Sequence, residues 1–379
     1  MAAGNPVSFL RVNKSELEFD DSADPYSHEV YLRGKANLEK FEKTGVMMRD
    51  AQSCFYIYRL WMEGRAQTGL VALTSCDEYD RGIIKRHEHT RPEKVKDRAT
   101  HIEVLGAQVG PAFCAFREDK PLKPLFASIT QGKPTYDFVA DDGIRHELWV
   151  VNDPKTVVAI QEGFKKLETI YICDGHHRSA AASEVRRRRM QNNTAHTGRE
   201  TYNYFLNVIF PASDLKILAY NRVVKDLNGL TVEALLEKAQ QSFDVTHTQT
   251  EPTLTKVHEF GLYANKSWYK LVAKPHSFDA KSPTAVIDAS IIHANLIAPF
   301  LGITDPKTDK RIDFVGGIRG TKELVRLVDG GEFKLAIACY ATTLEQLFQV
   351  ADAGDVMPPK STWFEPKLRD GVVVATLND

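Results

Sequence analysis

No stretch of this sequence comes near the roughly eighteen consecutive apolar residues a membrane-spanning helix needs, so no transmembrane helix is expected. The opening residues Met1-Ala2-Ala3-Gly4-Asn5-Pro6 lack the basic and apolar regions of a secretion signal. Cysteine is sparse. The five present (Cys54, Cys76, Cys114, Cys173 and Cys339) are odd in number, far apart and form no CxxC pair, which points to a reducing cytoplasm. Charge of one sign is not in excess either, with 49 basic residues against 50 acidic. That balance supplies no global field for nucleic acid or a membrane surface. There is no internal repeat, no low-complexity tract and no HExxH. A soluble, cytoplasmic globular protein that takes small molecules as partners is the expectation, with no signal for an oligomeric state.

What is present is an alternation of strand and helix signals over 379 residues, which predicts a mixed α+β fold. Cys54 to Trp61 and Gln67 to Leu73 read as a hairpin around Gly64. Thr90-Arg91-Pro92-Glu93 has the form of a capping box, with Val95, Ala99, Ile102 and Leu105 at helical spacing behind it and Gly106 as C-cap. Pro111 to Phe116 is a strand, and residues 117–147 read as mostly loop and edge structure. Leu148 to Val151 is a short strand, and a helix runs from about Lys155 to Lys166. Tyr202 to Phe210 is a buried strand. The character changes after Arg222. Beyond it, helices are predicted over 231–242, Ala289 to Leu301 and Thr343 to Ala353, and strands over Ser267 to Val272, Phe333 to Cys339 and Gly371 to Leu377.

Four constellations carry chemistry. The first is Asp174-Gly175-His176-His177-Arg178, delivered by the apolar run Thr169 to Cys173 and followed by the helix-prone Ser179-Ala180-Ala181-Ala182. A strand ending in a loop that opens a helix is an anion site, because the first turn's N–H groups have no partner within the helix. Arg178 can grip phosphate oxygens, the imidazoles can donate or shuttle a proton, and Asp174 can hold Mg²⁺ together with substrate phosphates. The bland alternative is a surface turn in which Asp174 caps the helix.

The second is Lys85-Arg86-His87-Glu88-His89-Thr90, where Glu88 can act as general base toward a hydroxyl or simply complement a helix dipole. Zinc on His87, His89, His176 and His177 is a weaker alternative. The third is Met357 to Lys367. Lys360, Ser361, Thr362 and Lys367 have the chemistry of a P-loop end without its glycine cradle, so this is not a Walker A motif. A loop packing Trp363 and Phe364 into the core is the competing reading. The fourth is Asn221-Arg222, in which Arg222 either meets an anionic substrate or is an ordinary surface arginine. The basic run Arg186 to Arg189 reads as a solvated helix face rather than a nucleic-acid contact.

The His-Glu pair before a helix, followed by a strand and Asp-Gly-His-His-Arg, resembles the ParB/sulfiredoxin-like fold and within it the free-serine kinases. Nearly the whole chain also resembles a long-uncharacterised bacterial family related to them, which includes pyrophosphate-dependent serine kinases. The segments that carry this are Asn5 to Leu10, Ile84 to Thr90, Asp174 to Arg178 and Met357 to Lys367. The resemblance implies a ParB/sulfiredoxin-like catalytic domain over 1–225 and a C-terminal α/β domain over 226–379 that contributes the Pro-Pro-Lys-Ser-Thr loop.

It also implies a kinase that transfers a phosphoryl group from pyrophosphate, ADP or ATP to free L-serine. Glu88 matches the catalytic glutamate. Asp174, Gly175, His176, His177, Arg178 and Ser179 match the loop that handles phosphate and Mg²⁺. Arg222, Lys360, Ser361, Thr362 and Lys367 fall to the donor. Two departures stand out. Ala219-Tyr220-Asn221-Arg222 replaces a common Pro-Thr-His-Arg, and the several dozen residues that usually precede Asn-Pro-x-Ser-Phe-Leu are missing. A ParB-like module that contacts DNA or a protein, and a non-catalytic member of the family, are the alternatives.

Overall fold

The computed structural model describes residues 2–117 and 121–377 and shows a mixed α+β protein. Two compact units are present, one made of Met1–Leu215 with Pro366–Asp379, the other of Lys216–Glu365. The chain passes to the second unit ten residues before the boundary near 225 read from the sequence, and its last segment returns to the first.

The first unit is built on an eight-stranded mixed sheet. Its strands lie in the order Ile84–Lys85, Ile170–Asp174, Ala112–Phe116, Tyr204–Pro211, Arg65–Ser75, Phe55–Met62, Arg145–Val151 and Tyr136–Val139. The predicted hairpin is present, with Trp61 opposite Ala66. Ala112–Phe116 is buried throughout, as a central strand covered on both faces must be. Ile57, Leu70, Cys114, Ile172 and Ile209 form the core under it.

Beside the sheet lie helices Pro92–Leu105 and His176–Asn192, which share the cluster Ala99, Ile102, Ala181, Val185 and Tyr202. The capping box expected at Thr90 does not form. Arg91 is the N-cap, in extended conformation and without a side-chain cap bond. The residue before a proline is driven out of the helical region, so Pro92 sets the first helical position and pushes the cap one residue later. Gly106 is a left-handed C-cap as expected, its N–H bonding to the Ile102 carbonyl.

Several elements depart from the sequence expectation. Residues 117–147 contain the helix Leu122–Ile129 and the strand Tyr136–Val139, while residues 118–120 of that span lie outside the described residues. The helix His28–Lys43 is not among the predicted elements, although Val30, Gly34, Leu38 and Phe41 fall on one face. Gly34 permits its close packing, since a Cβ there would lie 2.9 Å from both the Ser15 hydroxyl and the Val12 carbonyl oxygen. Of the expected strand Gly371 to Leu377, only Ala375–Thr376 pairs, with Ala107–Gln108.

The second unit is a six-stranded antiparallel sheet, in the order Phe243–Thr248, Ser267–Ala273, Glu259–Ala264, Leu335–Cys339, Tyr220–Val224 and Ile312–Gly316. Leu235, Phe260, Leu271, Ile292, Leu301 and Ile337 fill one of its cores, and Tyr263, Trp268, Leu324 and Ala336 another. Thr343 and Gln346 form a reciprocal capping box on the helix Leu344–Asp352. Trp363–Phe364 pairs with Ile217–Leu218, and Phe364 is fully buried. That is the core-packing role weighed for this loop.

Candidate active site

The strands Ile84–Lys85 and Ile170–Asp174 are parallel neighbours, with Ile84 opposite Ile170. Parallel neighbours end at the same edge of a sheet. Residues 86–91 and 174–178 therefore leave from one place, although almost ninety positions separate them.

Their contacts are backbone to imidazole. The His87 N–H donates to His176 Nε2 at 3.5 Å, and the two rings pack edge to face at 4.5 Å. The Arg91 N–H donates to His177 Nε2 at 3.1 Å. Because Nε2 accepts in both rings, each neutral imidazole carries its proton on Nδ1. For His176 that atom faces Glu88, whose Oε2 lies 3.6 Å away.

Burial holds His176 neutral, well below the usual histidine range, and the neighbouring His87 adds to the effect. Burial likewise pushes His87 down to about 4, and its Nδ1 has no partner. His177 is also lowered by burial, against the pull of Glu88. Glu88 itself is 58% exposed, so its carboxylate is accessible.

The loop that opens the helix turns on Gly175, the N-cap, at φ +91. Asp174 is thus not the capping side chain. A Cβ at position 175 would lie 2.9 Å from Arg178 Nε and 3.1 Å from the Ala112 Cα, so the turn needs glycine on both counts. Ser179 is fully buried, and its hydroxyl donates back to the Gly175 carbonyl at 3.3 Å. It supports the turn and has no face toward a ligand.

A third segment completes the group. Lys367 Nζ sits 2.8 Å from Asp174 Oδ2, and Arg178 lies 3.9 Å from Asp174 Oδ1. Burial works to raise the Asp174 pKa, but Lys367 and Arg178 outweigh it and hold the carboxyl below its ordinary value. Three residues on, Asp370 lies 3.7 Å from Arg178 and accepts a bond from Asn13 at 2.6 Å. The tail is tied down by Gln67 donating to the Pro366 carbonyl and by Gly371 N–H donating to the Val109 carbonyl. Asp370, Asn13 and Arg98 drew no notice in the sequence. They line, with Arg178 and His101, a cavity of about 50 Å³ that Glu88 does not border.

Magnesium would need hard oxygens, and Asp174 is the carboxylate the loop offers. Lys367 already holds one of its oxygens and Arg178 faces the other. Among the described residues, no group of three His, Cys, Asp or Glu side chains is placed to hold a metal. In this state the loop's carboxylate faces a lysine ammonium and a guanidinium, Mg²⁺ on Asp174 would have to complete its shell with substrate phosphates, and no step is routed through it.

The remaining predicted residues belong to the second unit. Arg222 is only 4% exposed and so is not a surface arginine. Asn221 is buried too, its Oδ1 accepting from the Cys339 N–H at 3.1 Å. Ser361 donates to the Pro358 carbonyl at 2.7 Å, and its own carbonyl accepts from Thr342. Its hydroxyl proton is spent inside the loop. Lys360 is exposed at φ +58, its ammonium 5.4 Å from the Tyr220 ring, and Thr362 is half-buried.

The basic run on helix His176–Asn192 is paired within the unit. Arg186 meets Asp77 and Asp80, Arg187 and Arg188 meet Glu184, and Arg189 meets Glu103. No helix among the described residues is long and apolar enough to cross a membrane.

A family model described as "Protein of unknown function (DUF1015)" matches residues 1–290. The chain belongs to the DUF1015 family. No curated protein matches this DUF1015 chain. Among solved structures it is similar to SbnI with C-terminal truncation from Staphylococcus aureus, at 10% identity and TM-score 0.44, covering 81% of this chain and 87% of that one. It is also similar to a variant of a free serine kinase in complex with AMP, at 13% identity and TM-score 0.40, covering 81% and 92%. A conserved hypothetical protein from Pyrococcus furiosus matches at 15% identity and TM-score 0.37, covering 81% and 95%. At these identities and TM-scores the likenesses carry no argument about what this DUF1015 protein acts on.

Proposed function

We propose that this protein is a small-molecule phosphotransferase that acts on an alcohol, with free L-serine as acceptor and pyrophosphate, ADP or ATP as donor. The observation that carries the reading is Glu88, an accessible carboxylate 3.6 Å from the first-turn imidazole of the Asp174 loop. Choice of serine and of a compact donor rests on the motif resemblance of Ile84 to Thr90, Asp174 to Arg178 and Met357 to Lys367.

Phosphoryl transfer asks a protein mainly for positioning and for neutralisation of charge. The unpaired N–H groups of the first turn of helix His176–Asn192, with Arg178 and Lys367 beside them, receive the phosphoryl oxygens. Glu88 takes the proton of the acceptor hydroxyl as its oxygen forms the new bond to phosphorus. The bond from that phosphorus to the donor oxygen breaks, and phosphate leaves when pyrophosphate is the donor. His176 and His177, held neutral, donate through Nδ1 and add no charge of their own.

The test is incubation of the purified protein with L-serine and, in turn, pyrophosphate, ADP and ATP, with and without Mg²⁺, followed by detection of O-phospho-L-serine by ³¹P NMR. Product is expected from the wild type and not from Glu88→Gln. Absence of product with every donor, or equal product from the variant, overturns the reading.

A further inference from the structure

The second unit holds a cavity of about 490 Å³, larger than a bare ion needs and within the span of about 300–1,000 Å³ common for small-molecule pockets. Its wall includes Arg222, Lys307 and His293, with Phe314, Pro358 and Ile297 as the apolar part. Arg222 is assigned to the donor by the motif resemblance, and the other residues named take no part in the chemistry proposed for the first unit.

Two polar groups here lack a full partner within the protein, and the backbone geometry is a third observation. Arg222 lies on the strand Tyr220–Val224 and is buried, yet it makes no ion pair among the described residues and feels the Asp288 carboxyl only at longer range. Its guanidinium meets only neutral groups, donating to the Tyr220 carbonyl and, at 3.2 Å, to the Lys360 carbonyl, and lying near Cys339 Sγ and over the Phe314 ring. A desolvated cation without a counter-ion is costly, and the usual resolution is an anion. Asp288 is no direct ion-pair partner for it, since its Oδ1 accepts from the His258 N–H. Its Oδ2 has no hydrogen-bond partner, and burial pushes its pKa up to about 7 despite the pull of Arg222.

His293 supplies the second observation, since its Nδ1 is buried with no partner. Backbone geometry is the third. The helix over residues 288–301 is α at Asp288–Ile292, π at His293–Ile297 and α again at Ala298–Leu301. Pro299 has no N–H to close the ordinary bond to residue 295, which permits the wider turn. Such π segments recur at functional sites because they re-aim side chains. Here the segment carries His293, Ala294 and Ile297 to the cavity wall. Asp305, the one acid on the wall among the described residues, is occupied by its own turn, accepting from the Lys307 N–H at 2.9 Å and the Thr308 hydroxyl at 3.0 Å.

We infer that this cavity binds a small organic anion, a phosphate monoester or a carboxylate, with its oxyanion on Arg222 and Lys307, a hydrogen bond to His293, and its apolar body against Phe314 and Pro358. The volume asks for a body beyond the anionic head. A guanidinium fork matches either head group.

The test is isothermal titration of the full chain with phenyl phosphate, with benzoate, and with inorganic phosphate as the bare ion. At least one of the organic probes should bind the wild type more tightly than inorganic phosphate does. Lys307→Ala, on an exposed turn, and His293→Gln, which keeps a hydrogen-bonding side chain on the helix, should weaken that probe about tenfold each, the loss of one charge-assisted bond. Arg222→Met should abolish binding where circular dichroism shows the fold intact. Which probe binds separates phosphate from carboxylate recognition. Glu88→Gln should bind the probe as the wild type does, so a failed serine assay leaves this result standing. No binding of either organic probe, or wild-type affinity in both the Lys307 and His293 variants, overturns the inference.

Discussion

Lys367 Nζ lies 2.8 Å from Asp174 Oδ2, joining the returning tail to the loop that opens the helix His176–Asn192. The pair gives the tail a grip on the candidate site, and its loss has a defined pH signature. The folded pKa of Asp174 is depressed. Its contribution to stability is therefore present above the unfolded value of about 3.9 and lost as pH falls through the folded value. Lys367→Met should lower stability at pH 7, and the difference from wild type should vanish toward pH 2. Both side chains are more than a third exposed, so screening keeps the effect small. Urea melts across that pH range measure it. An unchanged difference at low pH would mean that packing, not charge, is what the lysine supplies.

Buried neutral histidines set a second pH dependence. Burial pushes His87 down to about 4 and holds His176 well below the usual histidine range, so both lie below the unfolded value of about 6.5. The unfolded chain takes up protons first as pH falls, so stability declines from pH 6.5 downward, by at most about 1.4 kcal/mol per pH unit for each imidazole. His87→Gln should flatten the slope between pH 6.5 and 4, as read by denaturant melts at half-unit steps. A slope equal to wild type counts against a neutral His87.

Gly175→Ala should destabilise the first unit by about 1–3 kcal/mol. The substitution strains a backbone at φ +91 and drives a Cβ against Arg178 and the Ala112 backbone. Chemical denaturation gives the number, and a loss under half a kcal/mol would show that the turn relaxes freely.

Glu88→Gln should cut serine phosphorylation at least about 100-fold while leaving the melting temperature within a degree or two. The side chain is too exposed to matter to the core. His177→Ala should also lower turnover, and in addition weaken the start of helix Pro92–Leu105, because the Arg91 N–H loses its acceptor. Steady-state rates together with thermal melts separate the two effects.

The strand, Gly175 and helix around Asp174 were legible because each is local: an apolar β-branched run, a residue tolerant of positive φ, and small helix formers. The hairpin at Gly64 and the Gly106 cap were legible for the same reason. The cap at Thr90 was misread because two local signals competed there, and the proline's steric constraint outranked the hydroxyl. Ser179, by resemblance, and Ser361, by residue type, were expected to donate hydrogen bonds to phosphate. Both hydroxyls are spent on nearby carbonyls, an accounting that only coordinates supply. Of the two readings of Arg222, the surface arginine failed because a lone arginine in sequence carries no sign of burial.

Chain chemistry alone determined where this protein makes many of its turns, which segments become the strands and helices next to the candidate site, and that Glu88 and the Asp174 loop are its candidate reactive groups. Tertiary structure decided which of those groups meet. A parallel strand pair sets residues 86–91 beside residues 174–178, and the tail brings Lys367 and Asp370 to Asp174 and Arg178. Contacts of this kind join positions with no local signal in common. They are chosen by the burial of the sheet and helices around them, and that selection acts on the whole unit at once.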